Sequence, residues 1–476
     1  GTPESRERRR PVVILCPSLF SIRNIVHSRM LPALRALGQP VCLLGSTPDC
    51  SPVTLPAPGP DQVYAELPAS RPRSDWRRQA MDVVQRASFF RRHRLATNRA
   101  TLWWYRREAG FVNRMQYAAL ASLGIPGSRE PFYTWQMRYL QRLRRAAWDI
   151  GPARAQLEAI RPPLLVATSC IHQAEEPFLL AAQELGIPTL GCIQSFDHLT
   201  DRTLPADCDH YAVWNTRMQR QLLEYHRVRQ PSQIYLTGTP QFDFHVRPEF
   251  RRSRAETLQE LGLRPDDRYL LYAANTVAVT PTEPALVGQF ARRVDAAPEL
   301  RGHRIVVRLH PNDRFDRWDA LAAAESRIVI SRPSTKSDSF DGPEDQVRLV
   351  STLLHADVCL NIWSSMSLDS VAVGTPVVSV AFAAERGSLE DRFCHMVYQT
   401  DWYRPIVESG GVRVVRDMYE LVAETLGYVR DRTRDAGARA RLAAQECGPL
   451  DGRSAERLAE VIANVALGGR PAVRAI

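Results

Sequence analysis

The chain has 476 residues, 44% of them hydrophobic and 24% charged, with a formal net charge of +10. That length exceeds one ordinary core and calls for two domains, and the composition excludes a wholly disordered or collagen-like chain. No run of about 18 apolar residues occurs, so no transmembrane helix is expected.

Gly1 to Arg10 is charged and has no apolar h-region, so it does not read as a signal peptide. Nine cysteines are scattered without a Cys-x-x-Cys pair. They read as small buried hydrophobes in a reducing cytosol, not as a disulfide framework or zinc site. Lys336 is the single lysine among 62 basic residues. Between Arg71 and Arg114 twelve arginines face only Asp75, Asp82 and Glu108. That local excess implies an anionic partner.

In chain order, Pro11–Cys16 reads as a buried strand, His27–Leu37 as a helix ended by Gly38, and Val41–Gly45 as a second strand. Residues 47–73 are proline-rich and read as loop. Residues 71–160 read as a helical insertion in which arginines alternate with aromatic residues, among them Phe89, Trp103, Trp104, Trp135 and Tyr139. Strands return at Leu164–Thr168, Thr189–Ile193, His210–Trp214 and Gln233–Thr237, with a helix over Glu176–Leu185. The alternation restarts at Tyr269–Ala273 and continues through Arg304–Arg308, Ile328–Ile330, Asp357–Asn361, Val377–Val380 and Val412–Val415. Final helices are expected over Met418–Arg434 and Ser454–Leu467.

This pattern predicts an α/β chain of two Rossmann-like, doubly wound domains facing a cleft, with the helical insertion in the first. The first domain is expected over residues 11–245 and the second over 262–435. Residues 436–476 are expected to form a helix returning along the domains.

Ligands of open parallel sheets sit beyond the carboxyl ends of the strands. No G-x-G-x-x-G follows the first strand, and no P-loop, H-E-x-x-H or G-x-S-x-G motif occurs. Four strand-end signals remain. Arg308-Leu-His310-Pro-Asn-Asp313 presents an imidazole able to donate to a phosphate oxygen. Asn361-Ile-Trp-Ser364-Ser365-Met-Ser-Leu-Asp369 opens a helix whose hydroxyls and N–H groups suit a phosphate, with Asp369 placed for ribose hydroxyls. Thr237-Gly-Thr239-Pro-Gln-Phe-Asp243 forms a stiff turn at the domain junction. Ile193-Gln-Ser-Phe-Asp197-His198 sets a carboxylate beside an imidazole, suited to taking a proton from an acceptor hydroxyl. Each also has a structural reading, as a strand-end histidine on a carbonyl, a serine N-cap, a hinge turn, or a solvated Asp-His pair.

Together, Tyr269 to Glu283, Leu309 to Pro311, Ala356 to Val378 and the upstream 237–243 turn resemble nucleotide-sugar glycosyltransferases of the GT-B fold. They are most similar to the CDP-glycerol glycerophosphotransferase and surface-polysaccharide transferase group. A His-Pro followed by paired serines is also typical of CMP-sugar transferases. The resemblance covers roughly residues 160–430 and implies that His310, Ser364 and Ser365 bind the donor's phosphates; Arg308, Asp369, Thr239 and Asn275 complete the expected donor-binding set. It implies His310 as a catalytic residue. Glycerophosphotransferases carry an HG-x-x-x-K loop where this chain has Gln194 to His198, so Asp197 or His198 is assigned as base by position.

The expected activity is transfer of a sugar or polyol phosphate from a nucleotide-activated donor, CMP-, CDP- or UDP-linked, to an acceptor hydroxyl in bacterial cell-surface polysaccharide or glycoconjugate biosynthesis. The alternatives are a UDP-GlcNAc 2-epimerase type enzyme and a non-catalytic nucleotide-sugar-binding protein. Epimerases carry DSGG-x-x-E-E where this chain reads Ser364 to Ser370. Asp207-Cys-Asp209 has metal-motif spacing but precedes a strand, so no metal and no cofactor are expected. The acceptor is expected to be an anionic or lipid-linked glycan. The Arg/aromatic insertion is expected to give peripheral contact with the inner face of the membrane in an otherwise cytoplasmic protein. No nucleic acid is expected.

Overall fold

The computed structural model describes residues 10–45, 62–67, 72–73, 75–101, 115, 118–119, 121–226, 228, 230–333 and 343–469. Among them the chain divides into two compact units. One holds the residues up to Pro240 together with those from Arg453 onward, and the other holds Gln241–Gly452.

The first unit is built on a seven-stranded parallel sheet. Its strands are β1 (Val12–Cys16), β2 (Val41–Gly45), β3 (Gln62–Glu66), β4 (Leu165–Ala167), β5 (Thr189–Cys192), β6 (His210–Val213) and β7 (Ile234–Leu236). Their order is β3-β2-β1-β4-β5-β6-β7. β1 and β4 are wholly buried, as apolar runs covered on both faces of a parallel sheet must be. β3 falls inside the stretch expected to be loop. It is an edge strand, half-buried at best, so its five residues carry no core signal. Its register on β2 pairs Val41 with Gln62.

The second unit repeats the plan with six parallel strands. These are β8 (Arg268–Ala273), β9 (His303–Arg308), β10 (Ile328–Ser331), β11 (Cys359–Asn361), β12 (Val377–Val380) and β13 (Arg413–Val415), in the order β10-β9-β8-β11-β12-β13. Period-2 alternation along β8 feeds two cores. Leu270 and Tyr272 pack with Ile305, Val307, Leu360, Phe290 and Trp318. Tyr269, Leu271 and Ala273 pack with Val306, Leu258, Leu353 and Cys359 on the other face. In both sheets the order reverses beside the first strand of the unit, at β1/β4 and at β8/β11. These are the switch points at which doubly wound sheets open a crevice.

Helices of the insertion occupy Asp75–His93, Phe132–Ala147 and Gly151–Ile160. The first two pack through Met81, Val84, Tyr133, Met137, Leu140 and Ala147. Arg71, Trp103, Trp104, Tyr105, Arg106, Arg107, Phe111 and Arg114 lie outside the described residues. The helix expected over His27–Leu37 spans Met30–Ala36, and a further short helix, Leu19–Ile25, precedes it. Among the described residues no helix is long and apolar enough to cross a membrane.

The C-terminal residues divide between the units. Ala436–Glu446 packs on helix Met366–Ala372 in the second unit, and Ser454–Ala466 packs on Met30–Ala36 in the first. Gly448 and Gly452, both at positive φ, turn the chain between them. At the end of β7, Arg457 Nε donates to the Thr237 carbonyl at 2.9 Å. Gly238 follows at φ +72°, where an added Cβ would stand 2.5 Å from Ser454 Oγ. Both the backbone region and the space there call for glycine. Gly238→Ala is therefore expected to destabilise the chain by more than about 1 kcal/mol. Denaturant unfolding checks this, and a midpoint equal to the parent's would refute it.

Candidate active-site residues at the carboxyl edges of the two sheets

In the second unit, three adjacent strands deliver four of the expected residues to one edge. β8 ends at Ala273, two residues before Asn275; β9 leads to His310; β11 leads to Ser364 and Ser365. Asn275 Nδ2 donates to the Ile362 carbonyl at 2.8 Å, which ties the ends of β8 and β11 across the switch point. The Asn312 N–H donates to His310 Nδ1 at 3.1 Å. That bond makes Nδ1 the acceptor and leaves the proton on Nε2. Burial lowers the His310 pKa, Asp313 opposing it. His310 is thus a neutral imidazole with an Nε2–H that has no protein acceptor among the described residues.

The serine motif is organised differently from the expectation. Trp363 sits at φ +23°, held by its N–H donating to Tyr398 Oη at 2.8 Å. Ser364 Oγ accepts from the Met366 N–H at 3.2 Å. Two of the strand-end and helix-start donors therefore have partners inside the protein. Ser365 is exposed, and its hydroxyl has no protein partner among the described residues. Ser367 lies beneath, in a buried network with Asn361 and Tyr403.

Asp369 was expected to face ribose, and the structure turns it inward. It is 4% exposed. Its Oδ1 accepts from Gln241 Nε2 at 3.1 Å and lies 3.0 Å from His245 Nε2. It anchors helix Pro240–Val246, the continuation of the 237–243 turn. Arg308 is likewise buried, with Nη2 3.4 Å from Asp345 Oδ1. Thr239 is buried in the first unit.

A buried cation under this edge was not singled out from the sequence. Arg317 donates to Asp313 Oδ2 at 2.9 Å, Glu283 Oε2 at 3.0 Å and the carbonyls of Asn275 and Thr280. Asp313 also accepts from Trp318 Nε1 and from the Val277 N–H. Glu283 accepts from the Asn275 N–H, Tyr272 Oη and Thr280 Oγ1. Burial pushes Glu283 up and Arg317 opposes it. This hub joins the loops after β8 and β9, which carry Asn275 and His310. Its only sequence trace is the P-x-E stretch and Asp313, four residues before Arg317.

The first unit has its own edge cluster. Glu175 is fully buried and accepts from the backbone N–H groups of Thr168, Ser169 and Cys170, at 2.7, 3.2 and 2.9 Å. Burial pushes its carboxyl up to about 7 against those N–H groups. Gln194 Nε2 donates to Ser18 Oγ at 3.3 Å, joining the loops after β5 and β1. Ser195 Oγ donates to Asp197 Oδ1. His198 follows as the first residue of helix His198–Asp201. Burial pushes its imidazole down to about 4, Asp197 opposing. Its Nδ1 is buried without a partner among the described residues. Asp209 accepts from the Thr189 N–H at 2.9 Å and closes the start of β5, a structural role.

No protein-family model and no curated protein sequence matches the chain. Solved structures do. The chain is similar to S. aureus MnaA in its UDP co-structure, at 11% identity over 98% of this chain and 100% of that one, TM-score 0.57. A UDP-GlcNAc 2-epimerase from Methanocaldococcus jannaschii matches at 12% identity over 95% and 98%, TM-score 0.52. The wall teichoic acid polymerase TagF, soaked with CDPG, matches at 10% identity over 98% and 91%, TM-score 0.51. The chain has the GT-B glycosyltransferase-like fold, in agreement with the motif resemblance.

Removing the buried cation leaves Glu283 and Asp313 uncompensated. Arg317→Met is expected to cost about 3–5 kcal/mol, read by denaturant unfolding. A loss below about 1 kcal/mol, the scale of a surface pair, would show that the hub does not hold this edge.

Proposed function

We propose that the chain is a transferase that moves a sugar or polyol phosphate from a nucleotide-activated donor to an acceptor hydroxyl. The observation that carries this reading is His310, a neutral imidazole with Nε2–H free, delivered by β9 while β11 delivers the free Ser365 hydroxyl. Negative charge grows on the leaving phosphate as its bond breaks. Preorganised donors aimed at that oxygen stabilise the transition state more than the ground state. A neutral histidine suits this role because it donates without holding the product by full charge. Asn275 and the Arg317 hub keep the two loops in place. Asp369 and Arg308 act as positioning residues.

The acceptor side rests on His198, backed by Asp197. A pKa near 4 keeps the imidazole neutral at physiological pH and able to take a proton. The nucleotide-sugar donor and a lipid-linked or anionic glycan acceptor are part of the same proposal. It is supported by the fold shared with MnaA, whose structure holds UDP, and with TagF, soaked with CDPG.

Likeness to the 2-epimerases favours a second reading, isomerisation at the sugar. The two differ in a simple readout. Inverting C2 breaks its C–H bond, so an epimerase incubated with UDP-GlcNAc alone in D2O incorporates deuterium at C2. A transferase leaves C2 unlabelled and consumes donor only with acceptor. A thermal-shift series with UDP, CDP, CMP, GDP and dTDP selects the donor base for this assay, and no shift with any of them counts against the donor site.

Loss of one such donor costs about 3 kcal/mol of transition-state stabilisation, so His310→Ala is expected to lower turnover roughly 100-fold. A folded variant turning over at the parent rate removes His310 from the mechanism. For the base, protonation near 4 predicts that kcat/KM stays flat from pH 8 to about 5 and falls only below that. An acid limb between pH 6 and 7 in the pH–rate profile is incompatible with His198 as the base.

A further inference from the structure

Helix Phe132–Ala147 contains four arginines and no acidic residue. At about 100° per residue its side chains sort into three arcs. Tyr133, Met137, Leu140, Arg144 and Ala147 form the buried arc, in which Arg144 pairs with Glu176 at 2.9 Å. Phe132, Trp135, Tyr139 and Leu143 form a second arc, and they are 59%, 62%, 47% and 38% exposed. The Trp135 and Tyr139 rings stack at 5.4 Å and make one flat apolar surface. Arg138 and Arg142 form the third arc beside that stripe. Both are exposed and neither has an ion pair among the described residues. The patch extends onto Leu123 and Ile125, 60% and 54% exposed, since the Leu123 carbonyl accepts from Gln136 Nε2 at 3.3 Å.

Of the arginines expected to carry the anionic contact, Arg91 and Arg92 are engaged within the chain. Arg91 Nη1 donates to the Ala121 carbonyl, and Arg92 pairs with Glu130 at 3.6 Å and lies over the Tyr133 ring. Arg138 and Arg142, by contrast, keep no ion pair among the described residues. Aromatic and aliphatic residues on one arc with unpaired arginines beside them match a helix lying in a membrane interface.

We propose that this face docks on an anionic phospholipid surface. Phe132, Trp135, Tyr139 and Leu143 enter the headgroup–acyl boundary, and Arg138 and Arg142 pair with lipid phosphates while their stems lie along the apolar surface. Charge complementarity selects this occupant. A symmetric contact with a second copy sets the same arginine-rich face against itself. The aliphatic Leu123, Ile125 and Leu143 widen the apolar surface beyond the rings, as contact with acyl chains requires and base stacking does not. The proposal stands apart from the transferase reading, because a chain that binds vesicles and transfers nothing leaves it intact.

The test is flotation of the full chain with vesicles of phosphatidylcholine alone or mixed with phosphatidylglycerol. The expected result is salt-sensitive binding to the mixed vesicles only. Arg138→Glu/Arg142→Glu and, separately, Trp135→Ala/Tyr139→Ala are each expected to weaken it by about tenfold or more. These side chains are exposed, so the far-ultraviolet circular dichroism should match the parent's. Arg138→Gln/Arg142→Gln gives a smaller loss of the same sign and serves if the reversal variant misfolds. Parent protein that stays with the soluble fraction, equal binding to neutral vesicles, or variants that bind like the parent overturn the proposal. Concentration-dependent self-association that Trp135→Ala abolishes assigns the face to a second copy instead.

Discussion

A parallel strand ends in backbone groups that the following loop must satisfy, and in both units a buried glutamate at the start of the next helix does so. Glu175 precedes helix Glu176–Leu185 and takes the N–H groups of residues 168–170. Glu283 opens helix Glu283–Ala296 and takes the N–H of Asn275. Each carboxylate occupies, from within the chain, the anion position that a strand-end loop offers. The loops are thereby immobilised in the shape the edge needs. In the second unit Arg317 adds the compensating cation and links Glu283 to Asp313. The loop after β8 and the loop after β9 are thereby tied to each other.

This internal satisfaction decides which groups are left for a ligand. The Trp363 N–H after β11 is bonded to Tyr398, and the Ser364 hydroxyl closes the first turn of its helix. A helix leaves its first four N–H groups without intrahelical partners, and here Ser364 takes one of them. His310 Nε2–H and the Ser365 hydroxyl are left without a protein partner among the described residues. A site made of a few unpaired donors on rigid strand ends has the preorganisation that charge stabilisation requires. The first unit contributes a contrasting pair, a carboxyl pushed up at Glu175 and an imidazole pushed down at His198, both by burial.

Much of this was legible in the residues. Continuous apolar runs such as Val12–Cys16 and Tyr269–Ala273 locate the central strands, because burial on both sheet faces demands them. The proline after His310 and the Gly374-Thr-Pro376 turn mark strand and helix ends through local backbone chemistry. β3 escaped because an exposed edge strand needs no apolar run. The helix expected over Met418–Arg434 ends at Arg430, where the Asp431 carboxylate accepts the Thr433 N–H and turns the chain. That competition between a side chain and the helix is short-range but has no periodic signature.

The sequence by itself determined the two-sheet α/β class, twelve of the strands, and the strand-end placement of His310, Ser364 and Ser365. It did so because strand burial and turn chemistry are local consequences of residue type. The partners of those residues were decided only by the tertiary structure. Asp369 looked like a ribose ligand until helix Pro240–Val246 brought Gln241 and His245 onto it across more than a hundred residues of chain. Arg317 looked like any of the other arginines until the strand order β9-β8 set it between two buried carboxylates. A charged side chain's role depends on what the fold places within about 4 Å of it, and that distance is set by strand crossing, which no local pattern encodes.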